Sequence, residues 1–173
     1  QSADMEAILK IAKKYDLAII EDNAQAIGSD YTFSDGRRQK VGTIGDIGCT
    51  SFFPAKNLGC YGDGGAIFTN NDELAEKLAM IANHGQSKRY YHDMIGCNSR
   101  LDSIQAAVLR IKLRELDNYI DARRKAADYY DSKFKDVKEI TVPFRAANTK
   151  HVFHQYTIQL SDKIDRDALV EYL

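Results

Sequence analysis

The segment from residue 48 to residue 66 constrains the fold most, because it joins an apolar run to a dense cluster of glycines. The run ends at Pro54, Lys56 follows two residues later, and glycines occupy positions 59, 62, 64 and 65. Glycines at this density predict a backbone that adopts positive φ or is closely approached by other atoms. A lysine between a buried strand and such a loop can be desolvated, which makes its amine a nucleophile. The alternative is that Lys56 is an ordinary exposed loop residue.

Composition limits the class of protein. The chain has 173 residues, of which 44% are hydrophobic and 28% charged, so we expect one soluble globular domain with a core and no room for two full domains. The net charge of -1 gives no electrostatic reason to expect nucleic acid or a membrane as a partner. The three cysteines form no CxxC pair, which suits free thiols in a cytoplasmic protein. Neither end resembles a domain boundary, so we expect a piece of a longer protein.

The first 26 residues predict an α/β unit. Residues 4–15 have the periodicity of an amphipathic helix, which Asp16 ends. The continuous apolar run at 17–20 predicts a strand buried on both faces, as in a parallel sheet covered by helices. Asp22 then follows at the carboxyl end of the strand, where ligands collect in such sheets. Alternatively, Asp22 caps a short helix at 23–26.

The remaining elements predict a larger domain followed by a smaller one. The pattern first predicts a hairpin at 30–42 that turns at Asp35-Gly36, strands at 47–53 and 66–69, and a helix capped by Asn71 or Asp72 with Leu74, Leu78 and Ile81 on its buried face. An irregular loop at 84–99 and a long helix at 103–133, capped by Asp102 with Gln105, come next. The chain then has a strand or linker at 138–143, a half-buried strand at 151–160 and a helix from Asp165. We therefore assign residues 1–135 to a partial large domain with its connecting helix, and residues 136–173 to the start of a small C-terminal α/β domain.

Four polar side chains follow the predicted strand ends. Asp22 and Gln25 follow one strand, Ser51 lies near the end of another, and Lys56 comes shortly after it. Pyridoxal phosphate needs such a set: a carboxylate for its ring nitrogen, an amine for its aldehyde, and hydroxyl and amide donors for its phosphate. A metal site is the competing interpretation, but no two of the four histidines have a tight ligand spacing with an acid.

Several ordered motifs resemble one family, the DegT/DnrJ/EryC1/StrS aminotransferases, which are PLP-dependent nucleotide-sugar aminotransferases. The motifs are Glu-Asp-Asn-Ala-Gln-Ala at 21–26, Gly-Asp-Ile-Gly at 45–48, Ser-Phe-Phe-Pro-Ala-Lys-Asn-Leu-Gly at 51–59, Gly-Asp-Gly-Gly-Ala at 62–66, Gly-Cys-Asn-Ser-Arg-Leu-Asp at 96–102, Gln-Ala-Ala at 105–107 and His-Val-Phe-His-Gln-Tyr at 151–156. The resemblance runs over essentially the whole chain. It implies the fold-type-I large domain, with a mostly parallel central sheet, and a part in cell-surface polysaccharide biosynthesis.

The resemblance also implies a role for each cofactor-binding residue. Asp22 would pair with the pyridine nitrogen of pyridoxal 5′-phosphate, Gln25 would contact the ring near its phenolic oxygen, and Ser51 would bind the phosphate. Lys56 would bind the cofactor covalently and then carry the proton between the cofactor and the sugar carbon.

Two further roles concern the substrate and the partner subunit. By the same resemblance, Asn98 would reach the cofactor phosphate of a neighbouring subunit, so that a homodimer shares its active sites, and His154 would contact the substrate. The expected substrates are a nucleotide-linked keto-sugar and an amino-acid donor such as glutamate. Relatives that dehydrate sugars have histidine in place of the lysine, so Lys56 favours a transaminase.

Alternative functions stay open at this point. They are a PLP-dependent sugar dehydratase, another fold-type-I PLP enzyme, or a truncated binding module without catalysis. Members of the family continue beyond both ends of this sequence, and the part before Gln1 supplies some of the phosphate donors. We therefore expect the 173-residue chain alone to bind the cofactor weakly and to turn over poorly or not at all.

Overall fold

The computed structural model describes all residues from Gln1 to Leu173. The helices are α1 (Met5–Tyr15), α2 (Asp72–Ala82), α3 (Ser103–Lys112), α4 (Leu116–Phe134) and α5 (Arg166–Tyr172). The strands are β1 (Ile20–Asp22), β2 (Asp30–Thr32), β3 (Arg38–Lys40), β4 (Ile47–Ser51), β5 (Gly65–Phe68), β6 (Gln86–Lys88), β7 (Tyr91–His92), β8 (Ile140–Thr141) and β9 (Gln159–Leu160). None of the helices combines the length and the apolarity needed to cross a membrane.

A three-stranded sheet in the order β1-β4-β5 positions the predicted site. β1 runs parallel to β4, with Asp22 opposite Cys49, and β5 runs antiparallel to β4. The predicted α/β class is confirmed, and the sheet is partly parallel because it contains one parallel and one antiparallel pairing. The other strands form separate two-stranded pairs, β2-β3, β6-β7 and β8-β9.

The first helix and strand differ from the prediction in burial. α1 begins after Asp4, whose side chain accepts a hydrogen bond from the Ala7 amide, and it ends at Asp16 in a left-handed conformation, as predicted. The expectation that residues 17–20 form a doubly buried strand is wrong. β1 begins only at Ile20, and the Leu17 and Ile20 side chains are 58% and 67% exposed. The physical reason is that β1 is an edge strand of this sheet, hydrogen-bonded to β4 alone.

The hairpin predicted at 30–42 is confirmed. β2 and β3 pair antiparallel, and Gly36 has a φ of +85° in the connecting turn. The Tyr31 side chain is buried and its hydroxyl donates to Asp4 at 2.9 Å, which attaches the hairpin to α1. The apolar cluster at this junction consists of Met5, Ala26, Tyr31, Phe33 and Val41.

A second apolar cluster joins the lysine segment to the long helices. Its members are Phe52, Leu58, Cys60, Leu109, Leu116, Ile120 and Val152. The predicted single helix at 103–133 is divided into α3 and α4 by a 3₁₀ turn at Leu113–Glu115. Asp102 caps α3 as expected, but the Gln105 side chain instead accepts a hydrogen bond from the Tyr61 amide at 2.7 Å.

Two further expectations about the middle of the chain need correction. Asn71 caps α2 as predicted, but no residue of that helix is buried. A cleft of about 1020 Å³ separates α2 from β4 and β5, so the expected apolar face of α2 is only partly covered. The loop at 84–99 is not wholly irregular, because it contains the short antiparallel pair β6-β7.

The prediction of a strand at 151–160 is wrong for most of that segment. Only β9 is extended and paired, with β8 as its partner, whereas residues 151–158 are irregular. The segment 144–154, which we call the docking segment, instead lies against the β2 region. The Thr32 amide donates to the Asn148 carbonyl at 2.7 Å, and the Lys150 amide donates to the Asp30 carbonyl at 2.9 Å. The helix capped by Asp165 is present as predicted.

The glycines of the lysine segment serve close approach rather than positive φ. A Cβ atom added to Gly59 would lie 2.4 Å from the Pro54 carbonyl oxygen, whereas at Gly62 the nearest atom is a flexible Gln105 side-chain nitrogen at 3.3 Å. We predict that Gly59→Ala lowers the free energy of unfolding by about 1–3 kcal/mol through overpacking. Urea denaturation measures this change, with Gly62→Ala as the matched control. Equal effects of the two variants would contradict the prediction.

The buried side of the docking segment predicts a pH dependence of stability. The His151 ring stacks on Phe153 with centroids 3.8 Å apart, and burial, with nearby positive charges second, lowers the pKa of His151 to about 4. A histidine with a lowered pKa stabilises the folded state above its unfolded value of about 6.5, and this contribution is lost as the pH falls towards 4. We expect a loss of about 1–2 kcal/mol, because solvent screens part of the effect at a half-buried ring.

Urea denaturation of wild type and His151→Gln between pH 7 and pH 4 checks this expectation. The variant lacks the imidazole and should show a shallower dependence of unfolding free energy on pH. Identical slopes for the two proteins would exclude His151 as the source.

Candidate active site

Asp22 is the last residue of β1 and its side chain is exposed at the end of the strand. One carboxylate oxygen accepts a hydrogen bond from the Ala24 amide at 3.0 Å, so the capping interpretation holds in part, although residues 23–26 form a turn rather than a helix. The other oxygen has no partner in the protein. Gln25 follows in the same turn, exposed, and its side-chain amide makes no hydrogen bond within the chain.

The neighbouring Glu21 is a structural residue that sequence reasoning missed. Its side chain is buried, and its carboxylate accepts hydrogen bonds from the amides of Gly42 (2.8 Å), Ile44 (2.6 Å) and Gly45 (2.7 Å). Charge-assisted bonds of this kind offset the cost of burying a carboxylate. They fix the turn that precedes β4 beside the end of β1. A single sequence carries no signal for them, because the donors are backbone groups.

Ser51 is the last residue of β4, the strand that pairs with β1 and so lies beside Asp22. Its hydroxyl oxygen accepts a hydrogen bond from the Phe53 amide at 3.2 Å, and its proton is free for another acceptor. The loop that follows is closed at its base, because the Phe52 amide donates to the Gly64 carbonyl at 2.7 Å and the Cys60 amide donates to the Phe52 carbonyl at 2.8 Å. The buried Cys60 thiol donates to the Gly62 carbonyl at 2.9 Å.

Lys56 lies in this closed loop with a half-buried side chain. Its amine has neither a hydrogen-bond acceptor nor an ion-pair partner in the protein, whereas its backbone amide donates to the Phe53 carbonyl at 2.9 Å. The next residue, Asn57, is buried and donates from its side chain to the Val152 carbonyl at 3.2 Å. The lysine loop is therefore attached to the docking segment.

Two arginines of α4 complete this attachment, and sequence reasoning missed them as well. Arg123 donates to the carbonyls of Phe153 and His154 at 3.3 and 3.2 Å, and Arg124 donates to the His151 carbonyl at 2.9 Å. Phe153 has a φ of +45°, a conformation that costs a non-glycine residue about 1–2 kcal/mol. The guanidinium bonds therefore hold a strained backbone in place.

The structure brings His154 close to Lys56 but leaves Asn98 elsewhere. Burial, and then the charges of Lys56 and Arg123, lower the pKa of His154. Its Nδ1 atom is buried without a hydrogen-bond partner. Asn98, in contrast, forms a bridge with Asn83 and accepts a hydrogen bond from Arg100 at 3.1 Å, so none of its partners belongs to the other predicted site residues.

The available groups fit pyridoxal phosphate better than a metal ion. Asp22 has a free carboxylate oxygen, Ser51 a free hydroxyl proton and Lys56 an unpartnered amine, and β1 and β4 bring the first two to one edge of the sheet. No three side chains among the histidines, cysteines and acids lie close enough together to hold a metal ion.

Comparison with known proteins gives a consistent result. The model of the family described as "DegT/DnrJ/EryC1/StrS aminotransferase family" matches residues 1–173. One curated relative, a UDP-2-acetamido-2-deoxy-3-oxo-D-glucuronate aminotransferase of Pseudomonas aeruginosa, is 48% identical over 163 residues, which are 94% of this chain and 44% of the relative. The chain thus spans less than half the length of this relative.

Two solved structures share the fold. The crystal structure of DesV from S. venezuelae superposes with a TM-score of 0.89 at 42% identity, covering 98% of this chain and 43% of that one. The structure of NtdA from Bacillus subtilis, with bound cofactor PMP, superposes with a TM-score of 0.83 at 30% identity, covering 99% of this chain and 38% of that one. The fold predicted from sequence is therefore confirmed.

The hydrogen bonds of Glu21 generate a prediction about stability. Glu21→Gln leaves a single acceptor oxygen and turns an NH₂ group towards backbone donors, so we expect the free energy of unfolding to fall by about 2–4 kcal/mol. Denaturant unfolding measures the change. Glu73→Gln is the matched control, because Glu73 is exposed in α2 and makes no side-chain hydrogen bond. A change no larger than that of the control would show that the three bonds contribute little.

Proposed function

Because this chain belongs to the DegT/DnrJ/EryC1/StrS aminotransferase family, we propose that it is the cofactor-binding part of a nucleotide-sugar transaminase. The enzyme moves an amino group from an amino acid, with glutamate as our candidate donor, to a keto-sugar linked to a nucleotide. The observation that carries this proposal is the convergence of Asp22, Ser51 and the unpartnered Lys56 after two neighbouring parallel strands. The relative from Pseudomonas aeruginosa, whose name describes such a reaction, supports it.

Pyridoxal 5′-phosphate is the cofactor that we assign to these groups. When bound, it supplies an electron-withdrawing ring that stabilises negative charge on the carbon next to the amine. Asp22 accepts the hydrogen bond of the protonated ring nitrogen and so keeps that ring electron-poor. Ser51 donates its free hydroxyl proton to the phosphate, and Gln25 offers its free amide to the ring oxygen. The NtdA structure, which holds PMP, supports this assignment.

Lys56 is the proposed catalytic residue. Its amine would hold the cofactor by condensing with the aldehyde group, with loss of water, and once the amino donor displaces it the free amine would take up a proton and return it on the substrate side. The absence of an ion-pair partner suits this task, because the amine can reach the cofactor without first breaking a contact within the protein. His154 lies nearby, and we propose that it contacts the substrate as a neutral ring.

The proposal extends to assembly, location and domain organisation. We propose a homodimer in which Asn98, which is exposed and has no hydrogen bond to the other proposed site residues, serves the cofactor of the neighbouring subunit. We place the enzyme in the cytoplasm, on the support of three free cysteines. We also propose that residues 1–135 belong to the large domain and residues 136–173 begin the small one, since β8 pairs with β9 alone.

Two alternatives predict different chemistry. A sugar dehydratase would release a deoxygenated keto-sugar without transferring nitrogen to it, and a binding module would convert neither cofactor nor sugar. Incubating the full-length protein with glutamate and a keto-sugar, and assaying both the amino form of the cofactor and the amino-sugar product, separates the three functions. Lys56 favours the transaminase, because a proton carrier with a free amine serves both halves of the reaction.

We predict that Lys56→Ala in the full-length protein abolishes amination of keto-sugars, with a loss of at least about 10³-fold, because nucleophile and proton carrier are removed together. The absorption band of the lysine-bound cofactor should disappear as well. A product assay with glutamate and candidate keto-sugars measures the first effect. Lys135→Ala is the control, since Lys135 is exposed just after α4. Amination at the wild-type rate by the Lys56 variant would refute the proposal.

A further inference from the structure

A second cavity, of about 650 Å³, opens beside Lys56 between the lysine loop and α4. Its charged lining residues are Lys56, Lys112 and Arg123, and no acidic residue lines it. Three cations around one cavity without a counter-charge create a strongly positive local potential. The potential also acts on His154, whose lowered pKa has the charges of Lys56 and Arg123 among its causes.

The residues of α4 that line the cavity lie on one face of the helix. Tyr119, Ala122, Arg123 and Ala126 recur at steps of three and four, which places them on one stripe of the helix. The two alanines leave the space into which a ligand fits. Two acids of α4 make contacts away from the cavity, since Asp121 lies 3.8 Å from the Lys150 amine and Asp128 lies 2.6 Å from the Arg145 guanidinium.

The two cations next to Lys56 are held in place by neutral acceptors. The Lys112 amine donates to the Gly59 carbonyl at 2.5 Å, and Arg123 donates to the Phe153 and His154 carbonyls. A carbonyl fixes the geometry of such a group without cancelling its charge. Both side chains retain further N–H donors, because an ammonium has three and a guanidinium five. The cavity is thus preorganised for an anion rather than filled by internal ion pairs.

We infer that Lys112 and Arg123, together with Tyr119 of the same cavity lining, form a subsite for an oxyanion of the molecule that reacts at Lys56. The inference rests on the proposed function, because it concerns a substrate of the same site. The shared chemistry is a carboxylate or a phosphate. It has two sources in the proposed reaction, the carboxylates of the amino-acid donor and the diphosphate of the nucleotide-sugar.

A charge placed on the cavity wall tests the inference without disturbing the attachment of the docking segment. Ala122 is exposed and lines the cavity next to Arg123, so Ala122→Glu adds a carboxylate among the cations. Ala122→Gln adds the same volume without charge. Calorimetric titration of the full-length protein with glutarate and with inorganic pyrophosphate should show Kd values about tenfold or more higher for the Glu variant than for the Gln variant.

The two sources are then separated by reaction kinetics. If the donor uses the subsite, the glutamate concentration at half-maximal conversion of the cofactor rises in Ala122→Glu, whereas the KM for the keto-sugar stays unchanged. If the nucleotide-sugar uses it, the KM for the keto-sugar rises and the glutamate dependence is unaffected. Lys112→Gln should move the same parameter as Ala122→Glu. Arg114→Gln, an exposed change on the adjoining turn outside the cavity, should move neither.

Equal Kd values for the Glu and Gln variants with both probe anions would overturn the inference. This outcome is distinguishable from a failure of the proposed function, because probe binding needs no turnover. Conversely, a wild-type protein that binds the probes with the predicted charge dependence but never converts its cofactor with glutamate would retain the anion site and lose the transaminase assignment.

Discussion

The buried carboxylate of Glu21 is the interaction on which the edge of the sheet depends. A carboxylate without a cationic partner is costly to bury, and here three backbone amides of the turn at 42–45 offset that cost. The same turn packs tightly, since a Cβ at Gly48 would lie 1.8 Å from the Gly42 carbonyl oxygen. The ends of β1 and β4 are thereby held in register, so Asp22 and Ser51 emerge at one edge.

The environment of Lys56 depends on a second set of contacts, which come from the C-terminal part of the chain. Asn57 bonds to Val152, and Arg123 bonds to the two carbonyls that follow. The first of these contacts joins residues 95 positions apart in the sequence and the others join residues 30 and 31 apart, so the docking segment fixes the lysine loop against α4. The left-handed backbone of Phe153 is a consequence, because its strain persists only where surrounding bonds fix the conformation.

Much of the fold could be predicted because its signals are local. The caps at Asn71 and Asp102, the helix that begins near Asp165 and the hairpin turn at Asp35-Gly36 need only neighbouring residues, and all are present. Long-range features could not be predicted in the same way. The apolar run before Asp22 does not tell whether β1 lies at the centre or at the edge of its sheet. The alternation at 151–160 does not tell that the backbone there is hydrogen-bonded by side chains rather than by a neighbouring strand.

Residue types predicted the candidate site, but they did not predict its electrostatic arrangement. Acidic side chains stand at the end of β1, whereas the surroundings of Lys56 contain Lys112 and Arg123 and no acid. A protonated ring nitrogen needs the first environment, and phosphates or carboxylates need the second. This separation of charge arises from the helical spacing of α4. Ala122, Arg123 and Ala126 face the lysine loop, whereas Asp121 of the same helix lies near the Lys150 amine. A bound molecule can therefore contact either the carboxylate at the end of β1 or the cations beside Lys56, and in neither case must an ion pair within the protein break first.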